Sequence, residues 1–131
     1  MTQAVIQIEA HPLLPQDDLV KYCNEKNIHI TAYSSLGNNS KGLLIQREAD
    51  WDIITVRNKP LLTEHPVIQD IATKLNATPA QVLIAWGIYR GYSVIPKSVK
   101  EERIISNFKQ IHLSQEDYEK VTAFGRKNYT R

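Results

Sequence analysis

The sequence has a single cysteine, Cys23, which excludes an internal disulfide framework and fits a reducing, cytoplasmic setting. It lacks an excess of either charge. Sixteen Lys and Arg against fourteen Asp and Glu leave +2 at pH 7, which is too balanced to signal a nucleic-acid partner. It has no apolar run near the ~20 residues that cross a bilayer, so no membrane partner is expected. The first residues carry no basic segment ahead of an apolar one, which predicts no secretory leader. The five glycines, at 37, 42, 87, 91 and 125, form neither a G-x-G-x-x-G fingerprint nor a Walker A loop. Cys23 stands apart from His11, His29, His65 and His112, and these lie far from one another, so no metal-ligand spacing exists. No Gly-x-Ser-x-Gly elbow supports a serine hydrolase. There is no internal repeat.

What is present is ordinary globular usage. The chain has 131 residues, 42% hydrophobic and 23% charged, enough for one domain over 1–131 with its own core. Residues 3–9 alternate as a strand, with Val5, Gln7 and Glu9 on one face and Ile6 and Ile8 on the other. Pro15 precedes an acidic first turn at Asp17 and Asp18, opening a helix with Leu19, Tyr22, Cys23 and Lys26 on its apolar stripe. Cys23 reads as a small core residue of that stripe. Asn27 is a stop signal, and residues 28–33 alternate as a second strand. His11 reads as a turn residue.

From Ser34 to Pro60 periodicity is lost, and residues 38–60 read as a long loop or insertion; only the apolar stretch from Trp51 to Val56 suggests a short strand or hairpin arm. A helix follows over 66–75. Thr78, Pro79 and Gln81 make a capping box with proline at the first helical position, opening a helix that is apolar nearly all round. Residues 92–95 read as a third strand, 99–108 as a charged helix, and Ser114 caps a last helix that ends in a basic tail. Strands alternating with helices imply an α/β fold with right-handed crossovers and parallel pairing.

Gln7, Tyr33 and Lys97 stand at or near the carboxyl ends of the three strands, where parallel α/β folds bind ligands. Beyond the third strand come Ser98, Lys100, Arg103 and Asn107, the last two spaced i, i+4 on one helix face. A ring suits a planar heterocycle, an amide pairs with an amide, and hydroxyl and cations suit a phosphate. Together these residues resemble half of a nucleotide site. Without further information Lys97, Arg103 and Asn107 also read as a solvated helix face, and Gln7 as a polar residue of a barrel interior.

Residues 5–12, 30–37 and 94–99 resemble the aldo-keto reductase family, in the style of its fungal members. Residues 78–86 resemble the family's penultimate barrel helix, and Glu102, Arg103, Ile104, Asn107 and Phe108 its nucleotide-binding helix. The motifs run in order and cover the chain apart from about 41–59. The resemblance implies the last three strand–helix units of a (β/α)8 TIM barrel and an NADPH-dependent carbonyl reductase. On it, Gln7 holds the nicotinamide carboxamide and Tyr33 stacks under the ring. Ser34 and Leu36 touch the pyrophosphate. Lys97, Ser98 and Arg103, with Val99 beside them, surround the adenosine 2′-phosphate, and Asn107 bonds the adenine. The stretch 38–60 would fold over the cofactor. Three departures stand out: Ile6 where the family commonly has asparagine, Ser35 where it has proline, and Ser106 near an expected acid.

A complete barrel needs about 250 residues. The resemblance places the family's catalytic Asp, Tyr, Lys and His in earlier units, and none of the six tyrosines sits in a matching motif, so no catalytic residue is assigned here. The partner is a small carbonyl substrate that the sequence does not specify. A three-stranded piece leaves two edges and an inner face uncovered, so self-association or pairing with a missing barrel half is expected. The alternative is a truncated, non-catalytic relative acting as an interaction or oligomerising domain.

Overall fold

A computed structural model of the chain describes residues 3–37, 44–45, 54–55 and 61–128. In chain order it has β1 (Val5–Glu9), α1 (Asp17–Glu25), β2 (His29–Tyr33), β3 (Leu44–Ile45), β4 (Ile54–Thr55), a 3-10 turn (Leu62–Glu64), α2 (Pro66–Lys74), α3 (Pro79–Tyr89), β5 (Ser93–Val94), α4 (Glu101–Phe108) and α5 (Gln115–Lys127). Strands β1, β2 and β5 form one sheet in that order. Both pairings are parallel, with Gln7 opposite Thr31, Glu9 opposite Tyr33, and Ala32 opposite Val94.

Side-chain alternation divides the sheet into two unlike faces. Ile30 and Ala32 are buried beneath the helices, and Ile6, Ile8 and Val94 pack against the same core. Val5, Gln7, His29, Tyr33 and Ser93 point to the other face and are exposed. Among the described residues only one side of the sheet is therefore roofed. Across the open side His29 Nε2 and Ser93 Oγ are 2.8 Å apart.

Three helix starts follow the sequence signals. Thr78 Oγ1 accepts the Gln81 N–H at 3.1 Å, while the Gln81 side-chain oxygen accepts the Thr78 N–H at 2.9 Å. Ser114 Oγ accepts the Asp117 N–H at 3.1 Å. Pro66 opens α2 behind His65, whose Nδ1 accepts the Val67 N–H at 3.3 Å. The stop at Asn27 is also present, since that residue takes the left-handed conformation at φ 55°, which asparagine tolerates better than most side chains.

Helix α3 is the centre of the fold. All residues from Gln81 to Gly87 are buried. Trp86 donates from Nε1 to Thr122 Oγ1 of α5 at 3.0 Å. A Cβ at Gly87 would stand 2.7 Å from Val94 of the sheet. At the far end Arg90 donates to Asp17 at 2.7 Å and to the Pro15 carbonyl at 3.1 Å, and lies over the Trp86 and Tyr92 rings.

Several boundaries differ from expectation. The buried face of α1 is Val20 and Cys23, whereas Tyr22 is 54% exposed. The charged helix begins at Glu101, not Val99, because Lys100 is still extended. The third strand pairs only at Ser93 and Val94, shorter than 92–95. Within the stretch taken as loop, Leu44–Ile45 and Ile54–Thr55 form a two-stranded antiparallel ladder, the hairpin arm suggested by the apolar run. Trp51 and the rest of 38–60 lie outside the described residues. Among the described residues no helix is long and apolar enough to cross a membrane.

Helix α5 approaches β1's exit loop so closely that a Cβ on Gly125 would overlap the Pro12 carbonyl. Backbone cannot yield as a side-chain tip can. Gly125→Ala should therefore destabilise the fold by about 1–3 kcal/mol, read as a lowered midpoint in urea with an unchanged slope. An unaltered midpoint would show that α5 does not seat there.

Candidate functional site

The chain after each parallel strand leaves the sheet at the same end. Two of these exits, after β2 and after β5, together with the start of α3, helix α4 and the segment from Leu61 to Gln69, line a cleft of about 540 Å3. One wall is Leu36 from the turn after β2. Opposite are Lys97 and Ser98 from the segment after β5, then Arg103, Ser106 and Asn107 from α4. The floor comes from Thr78, Pro79 and Ala80 at the start of α3, and the remaining rim from Leu61, Thr63, Glu64 and Gln69.

Local chemistry explains the positions. Ser34 sits at φ 50° and Gly37 at φ 75°, and the Gly37 N–H donates to the Ser34 carbonyl at 2.8 Å, closing a tight turn that presents Leu36. Ser98 Oγ accepts the Lys100 N–H at 3.1 Å, which folds the chain into α4. Helical spacing then places Arg103 and Asn107 one turn apart on the same face.

The sequence candidates divide into two groups. Leu36, Lys97, Ser98, Arg103 and Asn107 line the cleft together. Gln7 and Tyr33 lie on the open face of the sheet, two steps apart along the β1–β2 ladder, with Tyr33 41% exposed. Ser34 and Val99 are beside the cleft rather than in it, and Val99 is 88% exposed. Sequence reasoning missed Thr63, Glu64 and Gln69, which carry no motif. Thr78 and Pro79 carried a helix-start signal but no hint that this start is a cleft floor.

The donor set suits an anion attached to a flat, hydrogen-bonding group. Among the described residues neither Lys97 nor Arg103 is engaged by a carboxylate. The Asn107 amide can donate and accept, and Leu36, Leu61 and Pro79 supply apolar walls. A phosphorylated nucleoside therefore fits the residues present. Among the described residues no group of three or more His, Cys, Asp or Glu could hold a metal.

Two buried side-chain atoms have no hydrogen-bond partner among the described residues, His11 Nδ1 after β1 and Ser35 Oγ in the turn that presents Leu36. The unused Ser35 hydroxyl is compatible with a proline at that turn position. His11 pairs through Nε2 with Glu9 at 3.1 Å and bridges to Leu14 in a turn, the structural role expected of it.

Residues 1–126 match the Aldo/keto reductase family. The match runs through 41–59, a stretch that carries no recognisable family motif. The chain is 41% identical over 128 residues to the aldehyde reductase YPR1 of Saccharomyces cerevisiae, covering 98% of this chain and 35% of that protein. It is 43% identical over 121 residues to the glycerol 2-dehydrogenase (NADP(+)) of the same yeast, covering 92% of this chain and 33% of the relative. Identity is also 43% to the NADPH-dependent D-xylose reductase of Meyerozyma guilliermondii, covering 91% and 36%. A crystal structure of an aldo/keto reductase from Brucella melitensis superposes with a TM-score of 0.74 at 30% identity, over 94% of this chain and 39% of that one. The chain belongs to the aldo-keto reductase family, and its open parallel sheet with flanking helices corresponds to part of that family's TIM barrel. It spans about a third of the length of these curated relatives.

Burial holds the His11 imidazole below its ordinary value of 6.5, against the hydrogen bond and charge of Glu9, which both raise it. The unfolded chain takes up this proton near 6.5 and the folded chain does not, so stability falls as pH drops through that value, until the folded group also titrates. Thermal midpoints measured from about pH 7.5 down to 5 should show this loss, and His11→Asn should flatten it. An identical slope in the variant would assign the pH dependence to another group.

Proposed function

We propose that this chain carries the cofactor-binding part of an NADP(H)-dependent carbonyl reductase. The cleft receives the 2′-phosphorylated adenosine end of the dinucleotide, and the open sheet face receives the nicotinamide. The single observation that carries this reading is the convergence of Lys97, Ser98, Arg103 and Asn107 with Leu36 in one cleft at the carboxyl end of a parallel sheet.

In this reading the Arg103 guanidinium and the Lys97 ammonium hold the 2′-phosphate, with the Ser98 hydroxyl as a third donor. Asn107 pairs with the adenine edge. Ser34, Leu36 and Val99 border the path of the pyrophosphate and ribose. Tyr33 offers its ring to one face of the nicotinamide, and Gln7 its amide to the carboxamide. When bound, such a dinucleotide supplies the hydride that reduces a carbonyl. This chain's residues bind and orient it. No residue of the chain is assigned as the acid that protonates the carbonyl oxygen, so positioning is its contribution and reduction requires the remainder of a barrel. The names of the fungal relatives support the cofactor and the small carbonyl substrate class.

A second reading, a non-catalytic interaction domain, draws on different residues. Ile104, Ile105 and Phe108 are 52%, 62% and 90% exposed on α4, an apolar surface that solvent alone does not favour.

Fluorescence titration with NADPH separates the two readings. Removing one charge-assisted donor costs about 1.5–3 kcal/mol, or roughly ten- to a hundredfold in Kd. Arg103→Ala should weaken NADPH by that factor and change NADH, which has no 2′-phosphate, much less. Absence of NADPH binding at millimolar concentration would leave the interaction-domain reading in place.

A further inference from the structure

Helix α4 presents three of the cleft's residues, yet none of its eight residues is buried. Its apolar side, at Ile104, Ile105 and Phe108, faces outward. Burial of hydrocarbon therefore does not hold it in place. It meets the body of the fold along α3, and the contact there is polar.

The side-chain hydrogen bonds across that contact come from one buried amide. Gln81 is the third residue of α3 and is 7% exposed. Its Oε1 accepts the Thr78 N–H at 2.9 Å, which completes the capping box. Its Nε2 donates to the Ser106 carbonyl and to the Lys109 carbonyl, both at 3.0 Å. The first lies in the last turn of α4, where it also accepts the Lys109 N–H at 3.2 Å, and the second belongs to the residue that ends the helix. The orientation of the amide is determined, because reversing it would set NH2 against N–H and oxygen against two carbonyls. A capping box needs only the acceptor, and glutamate serves it as well as glutamine. The two donors are surplus to capping, and both go to α4.

We propose that Gln81 is the positioning residue of the cleft. Its amide docks α4 on α3 and so fixes where Arg103 and Asn107 stand. The consequence for cofactor rests on the function proposed above, whereas the docking itself does not.

Gln81→Glu isolates the effect, since it keeps the shape and the capping oxygen but turns an oxygen toward two carbonyls. Gln81→Met removes the donors together with the capping oxygen, without adding charge, so its α3 start should loosen as well. Amide hydrogen exchange on the 131-residue chain should show residues 101–108 exchanging at least about tenfold faster in both variants, with α2 and the sheet at wild-type protection. Thr78→Ala should give the reverse pattern, with a faster first turn of α3 and an unchanged α4. Adenosine 2′,5′-bisphosphate, titrated in parallel, should bind Gln81→Glu at least fivefold more weakly than wild type. Wild-type exchange of α4 in Gln81→Glu overturns the proposal, and so does a loosening spread evenly over α2, α3 and α4. Selective loosening of α4 in a chain whose wild type binds no bisphosphate keeps the docking role and removes the cofactor reading.

Discussion

Burying a helix on every side is the constraint around which this fold is arranged. Helix α3 is enclosed from Gln81 to Gly87, so every neighbour must meet it through apolar or self-satisfied surface. The sheet meets it where Gly87 leaves room for Val94. Helix α5 meets it through Trp86, whose one polar atom is matched by Thr122. Polar chemistry is thereby pushed to the two ends of α3. Arg90 at its end ties down the start of α1, and Gln81 at its beginning ties down α4. The cleft lies at the end where α3 begins, where the turn after β2, the segment 61–69 and the segment 97–107 meet the start of that helix.

The surfaces that remain uncovered follow from the same arrangement. A parallel sheet is normally roofed on both faces. Here one face carries Val5, Gln7, His29 and Tyr33 into solvent, and the outer edges of β1 and β5 have no neighbouring strand among the described residues. Ile95 and Phe108 are exposed on the β5 side and Val5 on the β1 side. A chain that matches 39% of a solved barrel would expose such residues where the remaining strands belong. The exposed apolar surface of α4 then belongs to barrel closure as readily as to a separate partner.

Legibility in the sequence tracked how local each determinant is. The capping box at Thr78, the proline at Pro66 and the stop at Asn27 involve neighbours in the chain, and all three are where the sequence places them. The alternation of Ile30 and Ala32 against Tyr33 likewise fixed the buried face of β2. Tyr22 misled because helical spacing marks a stripe without saying which edge the core covers. Val99 misled because Ser98 spends its hydroxyl on the Lys100 N–H and delays the helix. The docking of α4 was not readable at all. Gln81 looked like a cap, and its second task exists only once a carbonyl 25 residues away is brought beside it.

The division of the candidate residues into a cleft and an open face has a physical meaning. The cleft is enclosed by this chain's own segments, and its cations are held on α4 and on the exit from β5. The binding proposed there would draw on charge-assisted hydrogen bonds, which need fixed donors more than an apolar enclosure. The face bearing Gln7 and Tyr33 has a floor and, among the described residues, no opposing wall. Stacking on Tyr33 covers one side of a ring and leaves the other in water, where the electrostatics that a reduction requires are weak. On the proposed function, affinity for the phosphorylated end of a dinucleotide and control over its reactive end would be separable in this chain, the first resting on a docked helix and the second on surfaces that closure of a barrel would supply.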